Sequence, residues 1–465
     1  MSNEPNPRDD QWKDMLRAVL GDQAADDVIA SMEAQGFDPA NLARMNPSGP
    51  DIQILMSQLR SMMSGSPGGP VNWQIAEQVA KESITRDGVD TLTNGEVEKV
   101  KNDLQLANMW LNQATALDPS YGPEQAWTRL DWIAHAQSTF RRMTEPVAKN
   151  LTAAFSRAME EQMEQMPEEM KAMLGGQAST FINQMMASMT GMQFGAALGQ
   201  LAKQSFGSTD TGLPFVEGHT TALVPSNVEE FAEGLDISHD EVSLYVAVRE
   251  HAHARLFASS SWLRAYLLDT IEAWARDINI DMGAVEEQIR GIDMTNPQSM
   301  PEIDLTDVFN PAPTESQEAV LTQLETILAL IEGWVSEVTN LATAGHLPCA
   351  DALHEMFVRR RATGGPAEVT FGQLVGLELR PKKLREAANF WKIALDQGDL
   401  ESRDYLWSHP DLLPDSNDLD KPEEFFSDKE SDIESEIDDL LASIFADEEA
   451  GEDPAGPEEP LPPTN

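Results

Sequence analysis

The residues best suited to chemistry lie in one apolar stretch near the middle of the chain. Leucine, valine, alanine and phenylalanine recur there on nearly every side of a helix, so the stretch predicts a mostly buried helix over 241–262. Five ionisable residues interrupt it: Arg249, Glu250, His251, His253 and Arg255. Ionisable side chains in such a helix are costly unless they are paired or bound to a metal. This stretch therefore carries the strongest functional signal in the sequence.

Helix geometry sorts these residues by face. Residues two apart are rotated by about 200°, whereas residues four apart are rotated by only about 40°. His251 and His253 therefore point to opposite sides of the helix and cannot share one metal ion. His253 shares a face with Arg249 and Glu250.

Glu250 and His253 match part of a zinc-peptidase pattern. In H-E-x-x-H, two histidines one turn apart bind zinc, and the intervening glutamate acts as general base on a metal-bound water. Here Glu250 has the position of the base and His253 that of the second ligand, while Arg249 stands where the first ligand belongs. Because E-x-x-H is common by chance, the pattern needs support from the rest of the chain.

A second buried carboxylate is predicted further along the chain. The residues from Ser316 to Leu341 have strong helical periodicity, and Glu332 falls inside the apolar run, directly before Gly333-Trp334. A carboxylate in that environment also requires a partner.

The elements that position these residues are predicted to be mostly α-helical with a small β element. Helical periodicity covers 94–117, 124–163 and 262–278, and only 213–225 has the character of a strand. Between Lys171 and Lys203 no residue is charged, but frequent polar side chains favour a buried helix over a membrane span. Gly191, Gly195 and Gly199 would give that helix a bare stripe for a close neighbour.

The composition predicts four regions. A Gly/Pro/Ser-rich linker over 64–70 separates a small helical region, 1–63, from the main domain, 71–413. The acidic residues over 414–465 predict a disordered tail. One amphipathic segment within it, at 433–445, is either a docking motif for a partner or a strip that packs back onto the body.

The chain is strongly acidic, with 79 Asp and Glu residues against 32 Lys and Arg residues and a formal net charge of -47. Long-range repulsion argues against nucleic acid or a membrane surface as a partner. A single cysteine and the absence of a signal-peptide pattern predict a cytoplasmic protein. The locally basic segment 354–389 is expected to pair with carboxylates of the same chain, with an anion-binding loop at 363–365 as the alternative.

Several motifs in this order resemble one protein family. They are Gly191-Met-Gln-Phe-Gly-Ala-Ala-Leu-Gly, Ala247-Val-Arg-Glu-His-Ala-His-Ala-Arg-Leu-Phe-Ala, Ile331-Glu-Gly-Trp-Val, Arg360-Arg-Ala-Thr-Gly-Gly-Pro and Gly376-Leu-Glu-Leu-Arg-Pro. Over residues 71–413 the chain resembles the zincin-like metallopeptidases of actinobacteria, which are often labelled hydrolase or zinc-dependent metalloprotease. The resemblance implies a mostly helical zincin-like fold and an activity on peptides. It also implies that Glu250 is the general base, His253 a zinc ligand and Glu332 the third ligand.

Arg249 departs from the zinc-binding pattern. Arginine stays protonated in proteins and has no lone pair to offer zinc, so two protein ligands remain where catalytic zinc sites use three. We expect Arg249 to bridge Glu332 and Glu250, replacing the charge of the metal, and the site to be wholly or largely metal-free. Zinc is then a candidate cofactor that can be absent, and histidine at position 249 is expected to restore metal binding.

Other interpretations stay open at the level of sequence. His219, His346 or His354 could supply a replacement ligand. A di-iron site would need two Glu-x-x-His pairs, and only one fits. A buried salt-bridge cluster without enzymatic ancestry is the plainest alternative.

Two functional classes follow from the sequence. In the first, the chain is a metal-dependent hydrolase of peptides in which Glu250 activates water. In the second, it keeps a zincin scaffold without catalysis and binds a peptide or protein partner. The sequence does not define the oligomeric state.

Overall fold

The computed structural model describes residues 69–86, 88–164, 168–210, 212–276, 283, 315–365, 369–372 and 381–427. Four predicted segments lie outside these residues: the helical region 1–63, most of the linker, the amphipathic segment at 433–445 and the motif at 376–380.

The described helices and strands, in chain order, are α1 (Trp73–Thr85), α2 (Asn94–Leu111), β1 (Glu124–Ala126), α3 (Arg129–Glu164), α4 (Glu168–Gln204), β2 (Thr221–Leu223), α5 (Pro225–Ala232), α6 (His239–Ser259), α7 (Ser261–Arg276), α8 (Glu315–Thr343), α9 (Ala350–Ala362), α10 (Leu384–Gln397) and α11 (Leu400–Tyr405). Short 3-10 turns follow at Leu406–Ser408, Pro410–Leu412 and Asp418–Asp420. The predicted fold class, mostly helical with a small β element, is confirmed.

The small sheet differs in detail from its prediction. Strands β1 and β2 run parallel, with Glu124 opposite Thr221. The helix predicted over 124–163 was wrong at its start, because residues 124–126 form β1. Helix α3 begins only at Arg129, since Thr128 and Asp131 exchange side-chain and backbone hydrogen bonds across its first turn. The strand-like segment 213–225 contributes only three residues to the sheet.

The glycine stripe of α4 packs against α1, as its spacing predicted. A Cβ added at Gly191 would lie 2.5 Å from the carbonyl oxygen of Asn72, and one at Gly195 would lie 2.4 Å from that of Ala76. Real Cβ atoms do not approach oxygen so closely, so any side chain there would push the two helices apart.

Helix α6 lies at the centre of the domain. It begins at His239 after Ser238, whose hydroxyl accepts a hydrogen bond from the Glu241 amide at 3.3 Å. Every residue over 245–256 is buried. Helices α2, α5, α7, α8 and α9 and strand β2 all pack against α6. The prediction of a helix buried on most sides is therefore confirmed, and its ionisable residues lie inside the core.

Helix α8 packs between α6 and α10. Among the described residues it is the helix long and apolar enough to cross a membrane by length and composition, and 61% of its apolar window is buried inside the protein. Such burial is typical of a core helix. This helix therefore carries Glu332 into the core next to α6.

The described structure continues beyond residue 413, where the sequence placed the start of the tail. Leu419 is buried, and the rings of Phe425 and Phe426 pack against Phe390 of α10 at 5.2 Å and 5.1 Å between centroids. Apolar residues are sparse in this segment, which hid their packing role from composition alone.

Candidate functional site

Two of the predicted site residues, His253 of α6 and Glu332 of α8, meet in the core. Their atoms Nε2 and Oε1 are 3.2 Å apart, and each residue is 1% exposed. The two residues are 79 positions apart in sequence, and the packing of α6 on α8 brings them together.

Two arginines surround the same carboxylate. Arg249 Nη2 donates a hydrogen bond to Glu332 Oε2 at 2.8 Å, and Arg361 Nη2, from the last turn of α9, donates to Oε1. Burial alone would raise the pKa of Glu332. The guanidinium of Arg361, the ring of His253 and the guanidinium of Arg249 outweigh it and hold that pKa well below its usual range. Glu332 is therefore an ionised carboxylate paired inside the core.

The His253 ring has a fixed orientation. Its Nδ1 lies 3.0 Å from the carbonyl oxygen of Arg249, one turn earlier in α6. A carbonyl oxygen can only accept, so Nδ1 carries a proton, and Nε2 faces Glu332. The ring contacts Glu332 through the nitrogen that a zinc ligand in this position would offer to the metal.

Glu250 lies on a different part of the α6 surface and has different partners. Its Oε1 accepts hydrogen bonds from the Ser208 hydroxyl and, at 2.7 Å, from the Thr209 amide. Burial raises the pKa of Glu250 to about 7, and the nearby Asp210 adds to the rise, against the opposing effect of these hydrogen bonds. Arg249 was expected to bridge Glu332 and Glu250, and the Glu250 part of that expectation was wrong. Ser208 and Thr209, which follow α4, bind Glu250 in place of the guanidinium.

Residues 207–210 and Gly212, from the stretch after α4, contact both carboxylates. A Cβ added at Gly207 would lie 2.6 Å from Glu250 Oε2. At Gly212, where φ is +70°, it would lie 2.7 Å from both Glu332 Oε1 and Arg361 Nη2. Neither glycine position therefore has room for a side chain: Gly207 lies directly against Glu250, and Gly212 lies against Glu332 and Arg361.

The opposite face of α6 holds His251 and Arg255, as the helix geometry predicted. His251 Nε2 is 3.3 Å from Glu124 Oε1 of β1, and burial lowers the pKa of His251, partly offset by Glu124. Arg255 donates to the side chains of Asn108 and Asn112 near the end of α2. These two residues belong to the packing of α6 against the sheet and α2, away from Glu332.

The donor set around Glu332 does not fit a zinc ion. Zinc requires lone pairs from its ligands, and a catalytic site uses three protein ligands. Here His253 and Glu332 converge, but the first-ligand position is a guanidinium, and cationic N–H groups already bind both oxygens of Glu332. Among the described residues, no group of three or more His, Cys, Asp and Glu side chains could hold a metal ion.

The three histidines considered as replacement ligands have other surroundings or partners. His219 is exposed. His346 stacks on Trp110 with 4.4 Å between ring centroids. His354 Nδ1 lies 3.5 Å from the Ser336 hydroxyl on α8, and burial, together with Arg249, lowers the pKa of His354.

Sequence reasoning missed Arg361 and Ser208. The segment 354–389 was expected to pair with carboxylates of the chain, and the pairs Arg359–Glu355, Arg361–Glu332, Lys382–Glu325 and Lys383–Asp420 are present. Three consecutive arginines, 359–361, gave no signal of which one enters the core. Ser208 and Thr209 carried no signal because they bind Glu250 from a loop without periodicity.

Helix α6 carries the Glu250-x-x-His253 pattern, and His253 meets the carboxylate of Glu332 from a second helix. The family model of zincin-like metallopeptidases matches residues 71–426. The chain therefore belongs to the zincin-like metallopeptidase family.

One solved structure is similar in fold. It is a protein from Chloroflexus aurantiacus described as a "putative hydrolase with a novel fold", with 18% identity and a TM-score of 0.53. The match covers 77% of this chain and 99% of the other. At this identity the likeness shows the fold alone. No curated protein matched the sequence.

Proposed function

We propose that this chain is a zincin-family protein that acts by binding a peptide or protein partner, and that it does not hydrolyse peptides through zinc. The observation that carries the proposal is the hydrogen bond from Arg249 to Glu332, 2.8 Å long and buried. A guanidinium at the first-ligand position supplies fixed positive charge where the peptidase pattern requires a lone pair. The fold can then persist without the metal.

The acidic composition supports a proposal about the partner. With a net charge of -47, the chain attracts cationic peptides or proteins over long range and repels nucleic acid and anionic membranes. A cytoplasmic location and an actinobacterial source, as the sequence and the resemblance imply, stay predictions.

A second candidate function is peptide hydrolysis with Glu250 as general base. The observation in its favour is the pKa of Glu250, about 7, which suits proton transfer at neutral pH. The description of the Chloroflexus protein as a hydrolase points the same way. Against it, Glu250 is 1% exposed, so a substrate would reach it only if the surrounding structure opened.

Metal content and peptidase activity of the unmodified chain separate the two. We expect far less than one zinc ion per chain after purification without chelators. We also expect no chelator-sensitive cleavage of an unfolded casein substrate. Stoichiometric zinc together with cleavage that is lost both in chelator and in Glu250→Gln would establish the hydrolase instead.

A further inference from the structure

A guanidinium from a third helix binds the Glu332 oxygen that faces His253. Arg361 Nη2 donates to Oε1 of Glu332, the same oxygen that lies 3.2 Å from His253 Nε2. Arg249 donates to the other oxygen, Oε2, from α6. The two guanidiniums therefore have different places: Arg249 stands at the first-ligand position, and Arg361 occupies the Glu332 oxygen that a metal ion bound by His253 would need.

The surroundings hold Arg361 in that place. Its side chain is buried, and the backbone at Gly212 lies so close that an added Cβ would be 2.7 Å from Nη2. Withdrawing the guanidinium would remove a cation from a buried carboxylate, which is unfavourable unless another cation replaces it. A metal ion entering the site would have to displace Arg361 as well as find its ligands.

We infer that Arg361 is the residue that closes this site to divalent cations, and that Arg249 alone does not. The inference rests on the proposed function, because it explains how a zincin site stays free of metal. It also replaces the simpler expectation from sequence. By ligand count, Arg249→His would complete a set of two histidines and one glutamate, yet it would leave the guanidinium of Arg361 on Glu332 Oε1.

Zinc binding to a set of variants tests the inference without any assay of activity. The set is the unmodified chain, Arg249→His, Arg249→His with Arg361→Ala, and Arg249→His with Arg359→Ala. Arg359 is the matched control, because it lies in the same helix but pairs with Glu355 on the surface. Each chain is stripped of metal, and zinc affinity is measured by competition with a chromogenic chelator and by the rise of the thermal midpoint in zinc.

We expect only the variant with histidine at 249 and alanine at 361 to bind one zinc ion and to gain thermal stability from it. Its affinity should exceed that of Arg249→His by on the order of a hundredfold, the upper range over which groups around metal ligands tune affinity. The Arg359→Ala control should behave as Arg249→His alone.

Three results would overturn the inference. Tight zinc binding by Arg249→His alone would show that Arg361 does not close the site. A double variant that folds in zinc but binds none would show that the position is not a metal site. A double variant that fails to fold even in zinc would make Arg361 a requirement of folding that zinc cannot replace. Zinc bound at this site in the unmodified chain would contradict the proposed function and the inference together, whereas the three results above leave the proposed function standing.

Discussion

Glu332 and Glu250 are both buried, and neighbouring residues after α4 touch both of them, yet their pKa values shift in opposite directions. Glu332 accepts hydrogen bonds from two guanidiniums, and its pKa lies well below the usual range. Glu250 accepts from a hydroxyl and an amide, and burial raises its pKa to about 7. The two carboxylates therefore do not share one cation.

This difference shows that burial alone does not set the state of a core carboxylate. Desolvation raises the pKa at both positions, and only at Glu332 do nearby cations overcome it. In a zincin-like site one metal ion would act on the ligand glutamate and on the water next to the base. Here the compensation is local to Glu332, and the general-base position is left with neutral partners.

The largest expected effect comes from removing the charge of Glu332. Glu332→Gln would leave Arg249 and Arg361 buried beside a neutral amide, and breaking a buried pair in this way costs about 3–5 kcal/mol. Urea unfolding followed by circular dichroism should show that loss in the free energy of unfolding. A loss of this size would mean that Glu332 carries its charge in the folded protein.

A more exposed pair on α7 is the control for that substitution. Glu272 of α7 pairs with Arg276, and the two side chains are 35% and 67% exposed. Glu272→Gln should cost less than about 1 kcal/mol. If Glu332→Gln cost no more than this control, the guanidiniums would not depend on Glu332 for their charge balance.

The next effect concerns Glu250 and pH. The folded-state pKa of about 7 lies above the usual value of 4.5 for glutamate. The stability that this group contributes is therefore fully present below pH 4.5 and is lost as pH rises through about 7. Glu250→Gln, which keeps an oxygen for Ser208 and Thr209, removes that loss. The variant should gain up to about 3 kcal/mol relative to the unmodified chain between pH 4 and pH 8.

The sign of this effect separates two arrangements of the site. If Arg249 bound Glu250, as the sequence suggested, the pKa of Glu250 would be lowered, and Glu250→Gln would lose stability as pH rose. Free energies of unfolding for both proteins, measured at several pH values, give the difference directly. A difference that stays constant with pH would contradict both arrangements.

The sequence was informative where periodicity carried the signal. It predicted a mostly helical fold, the burial of α6, the glycine contact of α4 and the opposite faces of His251 and His253. It did not predict the contacts that loops or helix ends make, such as those of Ser208 and Arg361. Both contacts depend on which distant segments pack together, and neither residue spacing nor composition predicts that.

The boundaries of short elements were also beyond the sequence. Glu124–Ala126 pairs with β2 almost a hundred residues later, and nothing local distinguishes it from the first turn of α3. Of the two partners predicted for Arg249, the structure shows Glu332. From the sequence, Glu332 and Glu250 look equivalent as partners, because nothing in it shows that Ser208 and Thr209 bind Glu250.

The smallest effect tests how tightly the chain at Gly212 packs against the Glu332 cluster. Gly212→Ala introduces a side chain at a φ of +70°, a conformation that costs roughly 1–2 kcal/mol for alanine. It also places Cβ 2.7 Å from Arg361 Nη2 and Glu332 Oε1, which their mutual bond prevents from moving freely. We expect a total loss of about 2–3 kcal/mol in urea unfolding.

Gly218 separates the two contributions, because its φ is +87° and an added Cβ would meet no atom within 4 Å. Gly218→Ala should therefore show the backbone cost alone. The excess cost of Gly212→Ala measures the resistance of the cluster. It should shrink when Arg361→Ala is introduced into both proteins, since one of the two groups that Cβ meets is then gone and Glu332 is no longer held by that guanidinium. Equal losses for Gly212→Ala and Gly218→Ala would mean that Arg361 yields easily, and a guanidinium that yields so easily could not keep a metal ion away from His253 and Glu332.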